Sequence, residues 1–74
     1  MTSIGEQEAA LLILDRQILE LNDRINALRD VIDRLKSEGG DHANQVQLLS
    51  DMLESLHALQ QFRAEVLKTL IKAA

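Results

Sequence analysis

The 74-residue sequence contains no cysteine, proline, tryptophan or tyrosine, and Phe62 is its single aromatic residue. Without cysteine the chain can form neither a disulfide nor a thiolate metal site. Proteins that bind RNA or single-stranded DNA stack bases on aromatic side chains, so one phenylalanine argues against that function. We therefore expect a function that needs no disulfide, no thiolate metal site and no stacking of bases on aromatic side chains.

Positive charge is also scarce, because eight Lys and Arg residues stand against twelve Asp and Glu residues, for a formal net charge of −4. Binding to a phosphate backbone needs concentrated positive charge. The basic residues of the first half alternate with acidic ones and are Arg16, Arg24, Arg29, Arg34 and Lys36. This mixture argues against an RNA-binding hairpin dimer, which is the alternative from another functional class, and we expect no nucleic-acid partner.

Long apolar runs are missing as well. The longest, residues 9–14, is far shorter than the roughly 20 residues that span a bilayer. The N-terminal residues lack the basic and apolar regions of a secretory signal, so we expect a cytoplasmic protein without membrane insertion. The length predicts a single domain, residues 1–74, which is small enough to need additional stabilisation, for example by a partner.

Apolar residues recur at alternating intervals of three and four through the first half of the chain, at Leu11, Leu14, Ile18, Leu21, Ile25, Leu28, Ile32 and Leu35. This spacing is that of the a and d positions of a helix packed lengthwise on another helix. It predicts a helix over about residues 6–38. Extending the series by one more heptad reaches Ile4, but Gly5 lowers the helix propensity of this first turn. The pattern therefore leaves open whether the first ten residues are helical.

The pattern stops at the sequence Gly39-Gly40-Asp41. Gly39 is predicted to take the left-handed conformation that ends a helix, and Asp41 to cap the next helix. A second apolar series predicts a helix over about residues 42–73, at Val46, Leu49, Met52, Leu53, Leu56, Leu59, Phe62, Val66, Leu67, Leu70 and Ile71. Its spacing drifts nearer to 3.6 than to 3.5 residues, which is typical of a globular bundle face.

The short turn makes the two helices antiparallel neighbours, so the predicted fold is all-α, a coiled-coil-like two-helix hairpin. Equal rise per residue sets opposite each other residues whose numbers add to about 79. The alternative is a parallel homodimeric coiled coil, which Ile at a and Leu at d also favour. That arrangement would place Arg24 of one chain against Arg29 of the other, and the hairpin avoids this like-charge pair.

Apolar residues remain outside both seams and concentrate where the two termini meet, at the open end of the hairpin. Two helices alone cannot cover them. We therefore predict a protein-binding face made of Leu12, Ile13, Leu19, Leu67 and Ile71. The alternative is that these residues are ordinary surface hydrophobes, as single exposed leucines often are.

Residues with catalytic or metal-binding potential are few. Glu54 and His57 have the E-x-x-H spacing of di-iron bundles, but the positions predicted to face them are apolar and offer no further ligand. Ser50 and His57 lie about 10 Å apart along a helix, too far for a nucleophile and its base. We therefore expect no metal, no cofactor and no enzymatic activity.

Three short stretches resemble a known family. They are the opening Met1-Thr2-x-Ile4-x-Glu6-Gln7, the turn Gly39-Gly40-Asp41, and Leu53-Glu54-Ser55 in the second helix. Together with the hairpin plan they are similar to the small co-chaperones of type III secretion needle subunits, the YscE, PscE, SsaE and EscE proteins. In that family the first helix is somewhat shorter, and the Leu-Glu-Ser stretch lies a couple of residues further from the turn.

The resemblance implies a cytoplasmic co-chaperone. The hairpin would pack on a tetratricopeptide-like partner chaperone, and that partner would hold the amphipathic C-terminal helix of the needle subunit. Together they would keep the needle subunit monomeric until export. The alternative expectation is a homodimer, in which two hairpins form a four-helix bundle with a structural or adaptor role.

Overall fold

The computed structural model describes residues 3–73. Met1, Thr2 and Ala74 lie outside the described residues, and with them the first two positions of the opening motif and the last residue of the predicted domain. The described chain forms two helices, α1 (Ile4–Ser37) and α2 (Ala43–Ala73), packed along each other in a body 54 Å long and 15 Å wide. The predicted all-α helical hairpin is confirmed.

The helix α1 begins at Ile4, two residues before the predicted start. Ser3 is its N-cap, and the Ser3 hydroxyl accepts a hydrogen bond from the backbone N–H of Glu6 at 3.1 Å. The carboxylate of Glu6 lies in the first turn, where it complements the positive end of the helix dipole. This cap holds the helix through Gly5, so the first ten residues are helical from Ile4 onward.

The helix α1 ends in a Schellman motif, in which Gly39 has a φ of +71°. The N–H of Gly40 donates to the carbonyl of Leu35 at 2.8 Å, and the N–H of Gly39 donates to the carbonyl of Lys36 at 3.2 Å. These bonds satisfy carbonyl groups that a helix end otherwise leaves without partners. The predicted left-handed conformation of Gly39 is confirmed.

The helix α2 begins at Ala43, one residue after the predicted start. Asp41 Oδ1 accepts a hydrogen bond from the N–H of Ala43 at 3.0 Å, so the capping role predicted for Asp41 is confirmed. The carbonyl of His42 accepts the first helical bond, from the N–H of Val46 at 3.0 Å. His42 is therefore the residue that flanks the helix, and Asp41 caps it from one position further back.

Alanine at two of the glycines should change stability in opposite directions. At Gly39 there is open space for a methyl group, but the left-handed backbone makes Gly39→Ala cost about 1 kcal/mol. At Gly5, inside α1, an added Cβ meets nothing closer than 3.9 Å, so Gly5→Ala should stabilise by about 0.5 kcal/mol. Thermal unfolding followed by circular dichroism measures both variants. Shifts of the same sign would contradict this geometry.

The seam of α1 follows the predicted heptad. Leu14, Ile25 and Ile32 are buried, at 5%, 2% and 5% exposure. The other seam residues are partly buried: Leu11, Leu21, Ile18, Leu28 and Leu35. The predicted a and d positions of α1 are therefore its inward face, and only Ile4, at the end of the hairpin, is exposed.

The seam predicted for α2 was partly wrong. The inward residues are Gln45, Leu49, Met52, Leu56, Leu59, Arg63, Val66 and Leu70, which keep a strict alternation of four and three. Four residues predicted in this seam are exposed: Val46, Leu53, Phe62 and Ile71. The apparent drift toward 3.6 residues arises because polar Gln45 and Arg63 occupy two seam positions, so the nearest apolar residues, Val46 and Phe62, lie one position away from the seam.

The hairpin core is thin. Among the described residues the three buried side chains all belong to α1, and α2 contributes none. Each helix therefore covers the other along one narrow stripe and leaves its remaining apolar residues facing outward. Neither helix in residues 3–73 combines the length and the apolar character needed to cross a membrane.

Candidate protein-binding surfaces

The heptad register divides the outside of the hairpin into two flanks. In an antiparallel pair the e and b positions of both helices share one side, and the g and c positions share the other. The Arg63 flank, on the e side, comprises Leu12, Asp15, Leu19, Val46, Leu53, Arg63, Leu67 and Ile71. The Phe62 flank, on the g side, comprises Ile13, Val31, Leu48, Ala58 and Phe62.

An ion pair crosses the hairpin on the Arg63 flank. Arg63 lies at an a position of α2, and its Nε is 2.5 Å from Oδ1 of Asp15, an e residue of α1. It is the only ion pair within residues 3–73. The register predicted from the turn places residue 64 opposite Asp15, one residue from the observed partner. The pair thus confirms the predicted alignment of the two helices.

This ion pair contributes more to register than to stability. The side chains of Arg63 and Asp15 are 39% and 46% exposed, so water screens their attraction and the pair stabilises by less than about 1 kcal/mol. A slip of one heptad would separate the two charges and leave Arg63 in the seam without its partner. Arg63 therefore favours one alignment over the neighbouring ones.

Replacing Arg63 by leucine should stabilise the hairpin by about 1 kcal/mol. Leucine would continue the apolar a positions Leu56 and Leu70, and Asp15 would remain solvated because it is half exposed. Chemical denaturation measures the change in the free energy of unfolding, and Asp15→Asn serves as a control with an expected loss of less than about 1 kcal/mol. Destabilisation by Arg63→Leu would mean that the ion pair is stronger than its exposure indicates.

Four of the five residues predicted to bind a partner lie on the Arg63 flank toward the open end. Leu12, Leu19 and Ile71 are 72%, 64% and 75% exposed, and Leu67 is partly buried beside the seam. Ile13, which is 59% exposed, occupies a c position and lies on the other side of the α1 ridge. The structure thus places four of these residues on one flank, and Ile13 lies toward the other flank while still adjoining Leu12.

A shallow depression lies on the outer surface of α1, between the Arg63 flank and the Phe62 flank. Leu12 and Ile13 both line it, together with Arg16, Gln17 and Glu20. The outer face of α1 near its N-terminus is therefore apolar at its centre and bordered by one basic and one acidic side chain. Such a border suits a partner that brings both apolar and charged groups.

The Phe62 flank was missed in the sequence. Phe62, Leu48 and Val31 are 58%, 51% and 39% exposed, and they occupy g positions of the two helices. Apolar character alone predicts that Phe62, and not the adjacent Arg63, faces inward. Strict heptad counting from Leu49 would have found the flank, since it places Arg63 at a and Phe62 at g.

Phe62 separates two grooves that run between the helices. The central groove lies toward the turn and is lined mainly by Leu21 and Arg24 of α1 and by Ser55, Ala58 and Leu59 of α2. The end groove lies toward the termini and is lined by Gln7, Ala10, Val66 and Thr69. The single aromatic side chain of the protein thus projects between two recesses on the same flank.

The pair with metal-ligand spacing has no third ligand grouped with it among the described residues. Glu54 and His57 are both exposed on α2. Within residues 3–73 no three His, Asp or Glu side chains are grouped closely enough to hold a metal ion. The chemistry that this part of the chain offers on its surface is therefore apolar contact with a charged border.

No known family, curated protein or solved structure matches this chain. The fold and its flanks define a helical hairpin with two incompletely covered apolar sides.

Proposed function

We propose that this protein is a protein-binding helical hairpin that docks on a helical partner through the open end of its Arg63 flank. The observation that carries the proposal is the stripe of Leu12, Leu19 and Ile71, each more than 60% exposed on one side of a thin two-helix layer. Exposed leucine and isoleucine side chains that share one side of a hairpin are suited to pack against another apolar helical face.

Within this class we propose a cytoplasmic co-chaperone of a type III secretion needle subunit. The proposal draws on the resemblance of the Gly39-Gly40-Asp41 turn and of the opening and Leu53-Glu54-Ser55 stretches to that family. The direct partner is then a tetratricopeptide-like chaperone, because stacked helical repeats present an extended concave surface for a helical ligand. The needle subunit is held by that partner, and the hairpin need not contact it.

Two features of the hairpin support a role of this kind. Its core holds three buried side chains within residues 3–73, so a partner that covers one flank would supply burial that the hairpin lacks. The exterior is acidic overall, with a net charge of −4, which keeps the free chain soluble while the apolar stripe is uncovered. Both features suit a small subunit that works within a complex.

The experiment that tests the proposal is capture of the tagged full chain from its native cytoplasm, with identification of the co-purifying proteins by mass. We expect a small helical-repeat protein to be retained, with or without a needle-like subunit. Recovery of the chain alone would overturn the co-chaperone proposal and would favour a homodimeric bundle with a structural role.

A further inference from the structure

The end groove of the Phe62 flank is small and combines apolar with polar walls. Its volume is about 270 Å³. Small-molecule sites have volumes of roughly 300–1,000 Å³, so the groove has room for one side chain of another molecule and not for a larger ligand. Three apolar and three polar residues line it: Ala10, Phe62, Val66, Gln7, Glu65 and Thr69. The groove can therefore contact both the apolar stem and the polar head of a long side chain.

The polar residues of the groove offer hydrogen-bond acceptors. Gln7 occupies a d position of α1, one heptad before Leu14, and among the described residues its Oε1 is the buried side-chain oxygen that has no hydrogen-bond partner. The Thr69 hydroxyl donates to the carbonyl of Glu65 at 3.0 Å, so its lone pairs remain to accept. A buried acceptor without a donor costs free energy. The terminal torsion of glutamine rotates easily, so Gln7 can turn Oε1 toward a donor that enters the groove.

The charged group at the groove is a carboxylate. Glu65 lines the groove and is exposed. The only ion pair within residues 3–73 joins Arg63 to Asp15, so Glu65 has no cationic partner there. Lys68 and Lys72 follow Glu65 on α2, and neither forms an ion pair with it. A cation supplied by another molecule would therefore meet an uncompensated carboxylate.

Phe62 adds an aromatic surface beside this carboxylate, and its side chain is 58% exposed. An aromatic face attracts an arginine or lysine cation within about 6 Å of the ring centre. Arginine fits the groove better than lysine, because its planar guanidinium stacks on a ring and its N–H groups can reach a carboxylate and an amide oxygen together. An acidic side chain would be repelled by Glu65, and an apolar one would leave Gln7 without a donor.

From this combination of volume, charge and unpaired acceptor we infer that the end groove holds an arginine side chain of a partner protein. The aliphatic stem of that arginine lies along Ala10 and Val66. Its guanidinium stacks on Phe62 and donates to Glu65 and Gln7. This site lies on the opposite flank from the proposed docking stripe and does not depend on it.

Titration of the full chain with N-acetyl-arginine amide, followed by two-dimensional NMR of the backbone amides, tests the inference. We expect saturable shift changes centred on the groove residues, with a dissociation constant in the millimolar range because one side chain makes few contacts. N-acetyl-citrulline amide has nearly the same shape without the charge and should give no saturable change. Glu65→Gln should raise the dissociation constant about tenfold, since a charge-assisted hydrogen bond is lost. Glu54→Gln, the same change on an exposed part of α2 outside the groove, should leave it unaltered.

Two further variants test the ring and the unpaired acceptor. Phe62→Leu keeps an apolar side chain but removes the ring, and it should raise the dissociation constant about threefold. Gln7→Leu should also weaken binding, yet raise the melting temperature of the free hairpin, because it removes an unpaired carbonyl from the seam. Unchanged arginine binding by Glu65→Gln, or by both of these variants, would overturn the inference.

The probes also distinguish other occupants of the groove. Absence of saturable changes with the arginine derivative, or equal binding of the citrulline derivative, would overturn the inference. Equal binding of N-acetyl-lysine amide would overturn the choice of arginine. A gain in affinity of about tenfold on replacing Lys68 and Lys72 by glutamine would show that the chain's own lysines fill the groove, and would overturn a partner as its occupant. None of these measurements uses the native partner, so their outcome is separate from that of the capture experiment.

Discussion

Ile25→Asp should unfold the hairpin. Ile25 is the most buried of the described side chains, at 2% exposure, and it lies near the middle of the seam. Truncating such a residue costs about 2–5 kcal/mol, and an unpaired carboxylate in the same place adds a desolvation penalty. A core of this size rarely supplies more than about 3–5 kcal/mol, so the variant should lose its helical circular dichroism at room temperature.

The matched control is Leu12→Asp, which introduces the same charge into the same helix at a side chain that is 72% exposed. It should keep the wild-type helix content. Leu56→Asp should fall between the two, because Leu56 is only partly buried. Wild-type helicity in Ile25→Asp would show that the assigned core does not hold the two helices together.

Leu12→Asp and Ile71→Asp should each abolish capture of the partner protein. Both side chains are more than 70% exposed at the open end of the Arg63 flank, so the substitutions spare the fold and place a charge in the proposed docking stripe. Desolvating an unpaired carboxylate at the centre of an interface should weaken binding by about 30-fold or more. Affinity capture and titration with the isolated partner measure the loss.

Leu48→Asp is the control for this pair. It makes the same kind of change at a side chain that is 51% exposed, but on the Phe62 flank, and it should leave partner capture unchanged. Loss of capture by Leu48→Asp, with normal capture by Leu12→Asp and Ile71→Asp, would move the docking site to the Phe62 flank.

The first helix and the turn could be predicted from the sequence because their signals are local. The uninterrupted three-and-four spacing from Leu11 to Leu35 specifies which face of α1 turns inward. The left-handed conformation of Gly39 follows from the pattern break and from the freedom of glycine at positive φ, and Asp41 is a typical capping residue. None of these inferences required knowledge of the second helix.

The second helix could be predicted as a helix, but its inward face could not be read from hydrophobicity. Phe62 and Arg63 are adjacent, so one of them turns inward and the other outward. Apolar character alone favours Phe62. In the fold Arg63 takes the seam because the rest of α2 keeps the heptad of α1 and because Asp15 lies where the guanidinium can reach it.

For the predicted docking residues, too, one property could be predicted from the sequence and another was decided by the fold. Their excess over what a two-helix seam needs was evident in the sequence. Their distribution was not, because Leu12 and Ile13 are neighbours in the chain and yet lie toward opposite flanks of α1.

The sequence by itself therefore determined two long helices, the turn between them and the surplus of apolar side chains, since spacing and backbone preference act over a few residues. Only the tertiary structure decided which residues of α2 share the seam, and hence which flank presents Phe62 and which presents Leu12, Leu19 and Ile71. The physical reason is that side chains compete for one narrow stripe between the helices, and the outcome depends on the residue that lies opposite.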